Sequence, residues 1–403
     1  MKLKKFRRSS TSVLTLFGRI NYQRLAMAPS SQKYAERLSE LGHEGFVYPL
    51  DDALGLSRLP FKMTLSVMLA IARESIRCES YEDAQQLLKK NFNIQTNDDT
   101  MRKVTNCIGT LVFKNDLKIA EAMNQKLTSG SLIFPAKKKN NTLYLEVNSA
   151  IVPTRDKDVK GIVYKESKLG IVFSTDNIIW LKNLHNKSYY RIEKCEYMPL
   201  IDDSQEFSKL FFSTALRNGY GIYKKTVLLS DGSAWIRTMR DRYFPDAQQI
   251  LDFFYLKERI NDLAMLIFNN NEDKYKIWAK EISYLFEKRK YNEAIKQIIK
   301  SISTKSKEMI VNFVKYININ KSNIDYSNYL ENGLFIGSSA IESANKIATK
   351  TVLQRRMKKG VKRWNVESGQ AVVTLVAKIR SGLWLADVVK SAYSEYGEPF
   401  NGL

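Results

Sequence analysis

No apolar run in the chain approaches the roughly 20 residues that a bilayer-spanning helix needs, which excludes a transmembrane helix. Cysteine is scarce: Cys78, Cys107 and Cys195 lie far apart and make neither a CxxC site nor a disulfide framework, a usage that fits a reducing cytosol. Histidine is scarcer still. His43 and His185 alone exclude a histidine-rich metal site. Acidic residues are short relative to bases, 42 Asp and Glu against 64 Lys and Arg, for a formal net charge of +22. Such a surplus points to a polyanionic partner, nucleic acid or an anionic membrane surface. The membrane is the weaker of the two, because the basic residues lack a matching apolar helix face. An AT-rich genome would explain Lys in place of Arg, but not the excess of bases over acids. The opening MKLKKFRRSSTSVLTLFG starts like a signal peptide. Its apolar stretch is short and broken by Ser and Thr, and no small-residue cleavage site follows, so it is not expected to be one. What is present is ample core material, 44% hydrophobic and 11% aromatic, in 403 residues. At roughly 100–200 residues per domain that length allows two to four domains.

Residues 11–28 alternate apolar and polar around Gly18 and predict a β-hairpin. From about 63 to 128 the period becomes helical. Ser80 opens one capped helix with Glu82 and Asp83 in its first turn, and Thr96 or Asn97 caps a second carrying Arg102 and Lys103. Two helices so joined match a helix-turn-helix, whose second helix enters a major groove; an ordinary helical hairpin would read the same. A linker with Lys137, Lys138 and Lys139 follows, either phosphate-seeking or simply solvated.

Beyond it the pattern changes to strands: 142–152, 161–174 and 188–198, then a helix over 203–220 and a buried strand over 225–230. Asp231 and Gly232 end that strand, a helix runs from Ser233 to about Arg242, a fifth strand covers 247–253, and a helix starts near Tyr255. Three strands, helix, strand, helix, strand, helix is the ribonuclease H-like order. The predicted fold class is therefore α/β, a ribonuclease H-like mixed sheet with an all-α insertion, preceded by a mainly helical DNA-binding domain. The expected boundaries are a hairpin and loop region over 1–62, a helix-turn-helix-like domain over 63–130, a basic linker over 131–142, a catalytic domain over 143–255 and 333–384, the insertion over 256–332, and a tail over 385–403.

Three stretches, LYLEVNSAIVPTR with YKESKLGIVF, LLSDGSAWIRTMRDRYFPDAQQILDFFYLKE, and YLENGLFIGSSAIESANKIATKTVLQRRMK with RW and SGLW, resemble the ISKra-type insertion-sequence transposases of the DDE superfamily, with a more distant likeness to ISLre-type enzymes. LFGRI, VYPLDDALGL and ESYEDAQQLL extend the resemblance over nearly the whole chain. It implies an enzyme that cuts and transfers the ends of a mobile DNA element, in which three carboxylates hold two Mg²⁺ or Mn²⁺ ions about 3.5–4 Å apart. It also implies double-stranded insertion-sequence ends as partner, a homo-oligomer, and a bacterial cytoplasmic, nucleoid-associated protein. Carried over residue by residue, the second acid is Asp231 and the third Glu342.

The first acid is missing. Where the family reads Val-Asp-Gly-Ala, this chain has Val147, Asn148, Ser149 and Ala150. A neutral amide between two dications should lower the rate by roughly a thousandfold or more. Tyr255 replaces a histidine usual in LDFFYLKE. Glu146 leaves the same strand face as Asn148 about 6–7 Å away, so a rescued, active transposase is one alternative. A repurposed DNA-binding regulator that needs no metal is another. Glu342, Lys346 and Lys350 share a helix face, where Lys346 meets either substrate phosphate or Glu342. Arg355, Arg356, Lys358 and Lys359 extend a basic stripe toward Trp364, a core residue or a stacking platform. Asp246 and Asp252 read as structural, and Glu166 and Lys168 pair across the sheet or touch DNA.

Overall fold

The computed structural model describes residues 3–33, 36, 46–136, 139–155, 163–182, 188–201, 203–304, 306–337 and 364–397. The chain divides into two compact units. One comprises Met1–Asp116, Arg155–Gly161 and Arg355–Leu403; the other comprises Leu117–Thr154 and Ile162–Gln354.

The first unit opens with an antiparallel hairpin, β1 (Leu3–Thr15) and β2 (Gly18–Pro29). Gly18 sits at φ +106°, a conformation that favours glycine and lets the two-residue turn close. The hairpin is longer than the alternation over 11–28 predicts, because the basic residues that resemble a leader are part of β1. A short helix α1 (Pro49–Ala53) follows, then α2 (Leu65–Arg77) and α3 (Tyr81–Phe92). The Ser80 hydroxyl accepts the Asp83 amide at 3.0 Å and so caps α3, as its sequence signature predicts. Asn93 ends α3 in the left-handed conformation at φ 51°. The next helix, α4 (Asp98–Thr128), has Asn97 before it, whose side chain accepts the Thr100 amide at 2.8 Å. At 31 residues α4 is far longer than a recognition helix requires. Its residues up to Asp116 belong to the first unit and those from Leu117 to the second.

The second unit is built on a mixed sheet. Its strands are β3 (Lys139–Arg155), β4 (Val163–Ser174), then a separate two-stranded ribbon of β5 (Ile178–Lys182) and β6 (Ser188–Ile192), and β7 (Glu196–Ile201). Helix α5 (Ser204–Arg217) leads to β8 (Tyr223–Ser230), α6 (Ala234–Tyr243) and β9 (Gln248–Leu251). Five strands of the main sheet lie in the order β7-β4-β3-β8-β9. The pairs β3–β4 and β4–β7 are antiparallel; β3–β8 and β8–β9 are parallel. Counted from β3, the spatial order is third, second, first, fourth, fifth. The stretch 188–198, a single strand by its sequence pattern, is in fact two, since Glu193 leaves the run to donate its amide to Asn177 at 2.8 Å.

Alternation along β3 gives the sheet two faces. Leu145, Val172 and Leu228 look one way, with Val147 level with Gly170. Helix α5 packs on this face so closely that a Cβ on Gly170 would lie 2.3 Å from the Phe211 ring. On the other face, Tyr144, Phe173, Ile171, Leu169, Val227 and Leu229 join one core with a run of helices. These are α7 (Phe253–Ile267), α8 (Glu272–Glu287), α9 (Tyr291–Lys300), α10 (Lys307–Ile319) and α11 (Tyr326–Glu331). Their apolar sides supply Leu256, Ile260, Ile282, Phe286, Ile310 and Phe313 to that core. Residues 253–331 are thus mainly helical.

The last helices, α12 (Val366–Arg380) and α13 (Lys390–Tyr396), belong to the first unit. Gly109 of α4 meets α12 at close range: a Cβ there would lie 2.4 Å from the Ala371 carbonyl oxygen. Lys378 is buried and donates to Asp116 at 2.8 Å and Asp387 at 2.7 Å, so its charge is balanced by two carboxylates. Among the described residues no helix is long and apolar enough to cross a membrane.

Candidate functional site

The parallel pairing of β3 with β8 sets Glu146 level with Leu229. Asn148 lies two residues further along β3, just past its last pair with β8, and Asp231 is the first residue beyond the end of β8. Asn148 and Asp231 are both half-buried, and Asn148 shares its strand face with Tyr144 of the helical core. Asp231 lies just beyond the end of β8. Its Oδ1 accepts the Ser233 amide at 2.8 Å, and its backbone carbonyl accepts the Tyr316 hydroxyl at 2.9 Å. Gly232, at φ +78°, makes the turn between them. A side chain there would run into Asn320, at 2.7 Å from its Oδ1.

Tyr255 stands on the first turn of α7, and its hydroxyl donates a hydrogen bond to Asn148 Oδ1. Two residues 107 positions apart in sequence are therefore in contact. The Tyr255 hydroxyl is pushed well above its ordinary value, first by burial and then by the carboxylates of Asp252, Glu146 and Asp231. It therefore stays protonated, a donor at any physiological pH. Burial likewise pushes the Tyr316 hydroxyl up to about 12; Asp231 and Asp252 add to the rise, while Arg259, whose guanidinium lies 4.3 Å from the ring centre, works against it.

The remaining acids are structural or deep. Asp252 is buried at the amino end of α7, where it accepts the Phe254 amide at 2.7 Å and caps the helix, and its own amide donates to Ser230 at 2.8 Å. Asp246 accepts the Tyr220 hydroxyl. Both agree with a structural reading. Glu146 is only 1% exposed, within the sheet rather than at its open end. Burial, with Glu146 adding to it, pushes the nearby Cys195 thiol up, which disfavours a reactive thiolate. Lys168 is buried, pairs with Glu166 at 2.9 Å and lies 5.5 Å from the Trp235 ring centre, so those two residues serve the sheet.

Among the described residues, no three His, Cys, Asp or Glu side chains gather closely enough to hold a metal ion. The Asn148 amide oxygen already accepts the Tyr255 hydroxyl, and one Asp231 oxygen already accepts a backbone amide. That donor set does not fit a pair of divalent cations, which prefer several anionic oxygens. Glu342, Lys346, Lys350, Arg355, Arg356, Lys358 and Lys359 lie outside the described residues. Arg102 and Lys103 are exposed on α4, and both reach back to Asp99, at 2.5 and 2.6 Å. Trp364 is half-buried, and its buried indole N–H has no acceptor among the described residues. Sequence reasoning gave no hint of Tyr316, Asn320 or Arg259, because they come from the insertion and carry no motif.

A family model matches residues 2–391. The chain belongs to the uncharacterised protein family UPF0236. This membership spans both units and the sites above. A comparison with curated proteins finds no match. Among solved structures, the Drosophila P element transposase strand transfer complex is similar over 84% of this chain and 83% of that one, at 12% identity and a TM-score of 0.24, too loose a superposition to bear on the fold.

Proposed function

We propose that this UPF0236 member is a DNA-binding protein of the DDE transposase type, with a ribonuclease H-like core whose cutting chemistry is impaired. The carrying observation is the Tyr255–Asn148 hydrogen bond beside Asp231. The strand order β7-β4-β3-β8-β9, antiparallel on one side of β3 and parallel on the other, supports the ribonuclease H-like reading. In that arrangement acids converge on the first and fourth strands; Asn148, within β3 where its pairing with β8 gives out, and Asp231, just past β8, are proposed as those two positions. Replacing an anion by an amide removes charge that two cations need. Placing a neutral hydroxyl against the amide replaces the lost interaction with a hydrogen bond. Mg²⁺ or Mn²⁺ binding is proposed to be weakened accordingly, and Glu342 remains the proposed third acid. The partner is double-stranded DNA, in keeping with a formal net charge of +22. Insertion-sequence ends are the proposed target, with Arg102, Lys103 and the basic stretch from Lys346 to Lys359 as contacts.

The test is to incubate the protein with Mn²⁺ and a duplex carrying the flanks of its own gene. The wild-type chain is expected to leave the duplex uncut, and Asn148→Asp combined with Tyr255→His to raise nicking. Efficient cleavage by the wild-type chain overturns the proposed impairment.

A further inference from the structure

We propose that the solvent face of the β1–β2 ribbon is a duplex-DNA reading surface, laid along the major groove. Leu3–Pro29 holds Lys4, Lys5, Arg7, Arg8, Arg19 and Arg24, and neither Asp nor Glu. Cross-strand partners share a face, so the register divides the ribbon into two sides. The pairs Thr11↔Tyr22 and Ser9↔Arg24 lie on the inner side with Val13 and Ala26, both buried. There Tyr22 donates to Asp51 at 2.9 Å, and Arg24 pairs with the same carboxylate and stacks 3.7 Å from the Tyr48 ring centre. Arg24 is thereby committed to the fold.

The opposite side carries the pairs Lys5↔Met27, Arg8↔Leu25, Ser10↔Gln23 and Ser12↔Asn21. The shift in register between Lys5 and Arg7 keeps Lys5 and Arg8 on this side. Lys5, Arg8, Ser10, Arg19, Asn21 and Gln23 are all exposed. Among the described residues Lys5 and Arg8 have no ion pair, unlike Arg102 and Lys103, which a neighbouring carboxylate neutralises. The fold alone does not explain such a surface: a face needed only for solubility has no reason to exclude carboxylates.

Its chemistry fits base edges. Arg binds guanine O6 and N7, Asn and Gln bind adenine N6 and N7, Ser accepts or donates, and Lys holds phosphate. A two-stranded ribbon fits the width of the major groove. Alternate side chains recur about every 6.8 Å, close to two base steps of about 3.4 Å. At the tip Phe17 is 97% exposed, an apolar ring free to meet a thymine methyl.

The proposal rests on the DNA-binding reading above and names a surface that reading did not include. The test is fluorescence anisotropy of the full chain with labelled duplexes, one carrying the flanks of its own gene and one of scrambled sequence, over a salt series. Arg8→Ala with Asn21→Ala and Gln23→Ala is expected to lose at least about tenfold in affinity for the flanking duplex and to lose its preference over the scrambled one. Lys5→Gln with Arg8→Gln is expected to weaken both duplexes and to reduce the salt slope by about 2. Because every substituted side chain is exposed, the melting temperature should not move, and circular dichroism checks this. Wild-type binding with unchanged affinity and salt slope in both variants overturns the ribbon proposal and leaves the broader reading standing. Failure of the wild-type chain to bind either duplex overturns both.

Discussion

Around Asn148 and the end of β8, polar groups answer one another: Tyr255 donates to Asn148, Tyr316 to the Asp231 carbonyl, and the Ser233 amide to the Asp231 carboxylate. On the outer face of the hairpin, exposed Lys5 and Arg8 have no ion pair among the described residues. The first region is half-buried, so an unmatched polar group there would cost about 1–3 kcal/mol, and internal pairing is enforced. The second stands in water, where an unpaired cation costs almost nothing and stays available to a polyanion. The contrast separates a place where polar groups are matched within the fold from a place where charge stands open to solvent.

Perturbing each region should show the difference, beginning with the core that supports the first. Phe211→Ala removes a ring buried against Gly170 and 5.8 Å from Phe244, and should destabilise by about 3–5 kcal/mol in urea unfolding. Alkaline pH should come next. Tyr144 and Tyr316 have hydroxyls pushed up to about 12 by burial, against 10 when unfolded. Below pH 10 both states hold the proton and stability is flat. Above it the unfolded chain releases protons that the folded chain retains, so stability falls with rising pH, by on the order of 2 kcal/mol per tyrosine at pH 12. A thermal-melting series from pH 8 to pH 12 checks the sign. Tyr255→Phe deletes the donor to Asn148 and should cost about 1–2 kcal/mol; no loss would mean that this hydrogen bond adds nothing to the fold. Phe17→Ala, at the hairpin tip, should change stability by less than about 0.5 kcal/mol.

Much of the fold was legible because it is local. Ser80 and its first-turn acids mark the start of α3, alternation marks β3, and a continuous apolar run marks β8. The long α4 was harder, since Gly109 in its middle reads as a weak point. Its reason is the backbone of Ala371, hundreds of residues later, which leaves no room for a Cβ. The split of 188–198 into two strands depends on a backbone bond to Asn177 that no side chain announces. At the candidate site, motif reading singled out Asn148, Asp231 and Tyr255 one by one. The Tyr255–Asn148 hydrogen bond was invisible, because the packing of α7 against β3 makes it, and that packing depends on the whole core.

The most direct test of the account compares the wild-type chain with Asp231→Asn in nicking a supercoiled plasmid that carries the flanks of its own gene, in Mn²⁺. If Asn148 has disabled the centre, the two proteins should be indistinguishable and close to the no-protein background. Robust nicking by the wild-type chain that Asp231→Asn abolishes would contradict it, since Asp231 would then be serving a working catalytic centre.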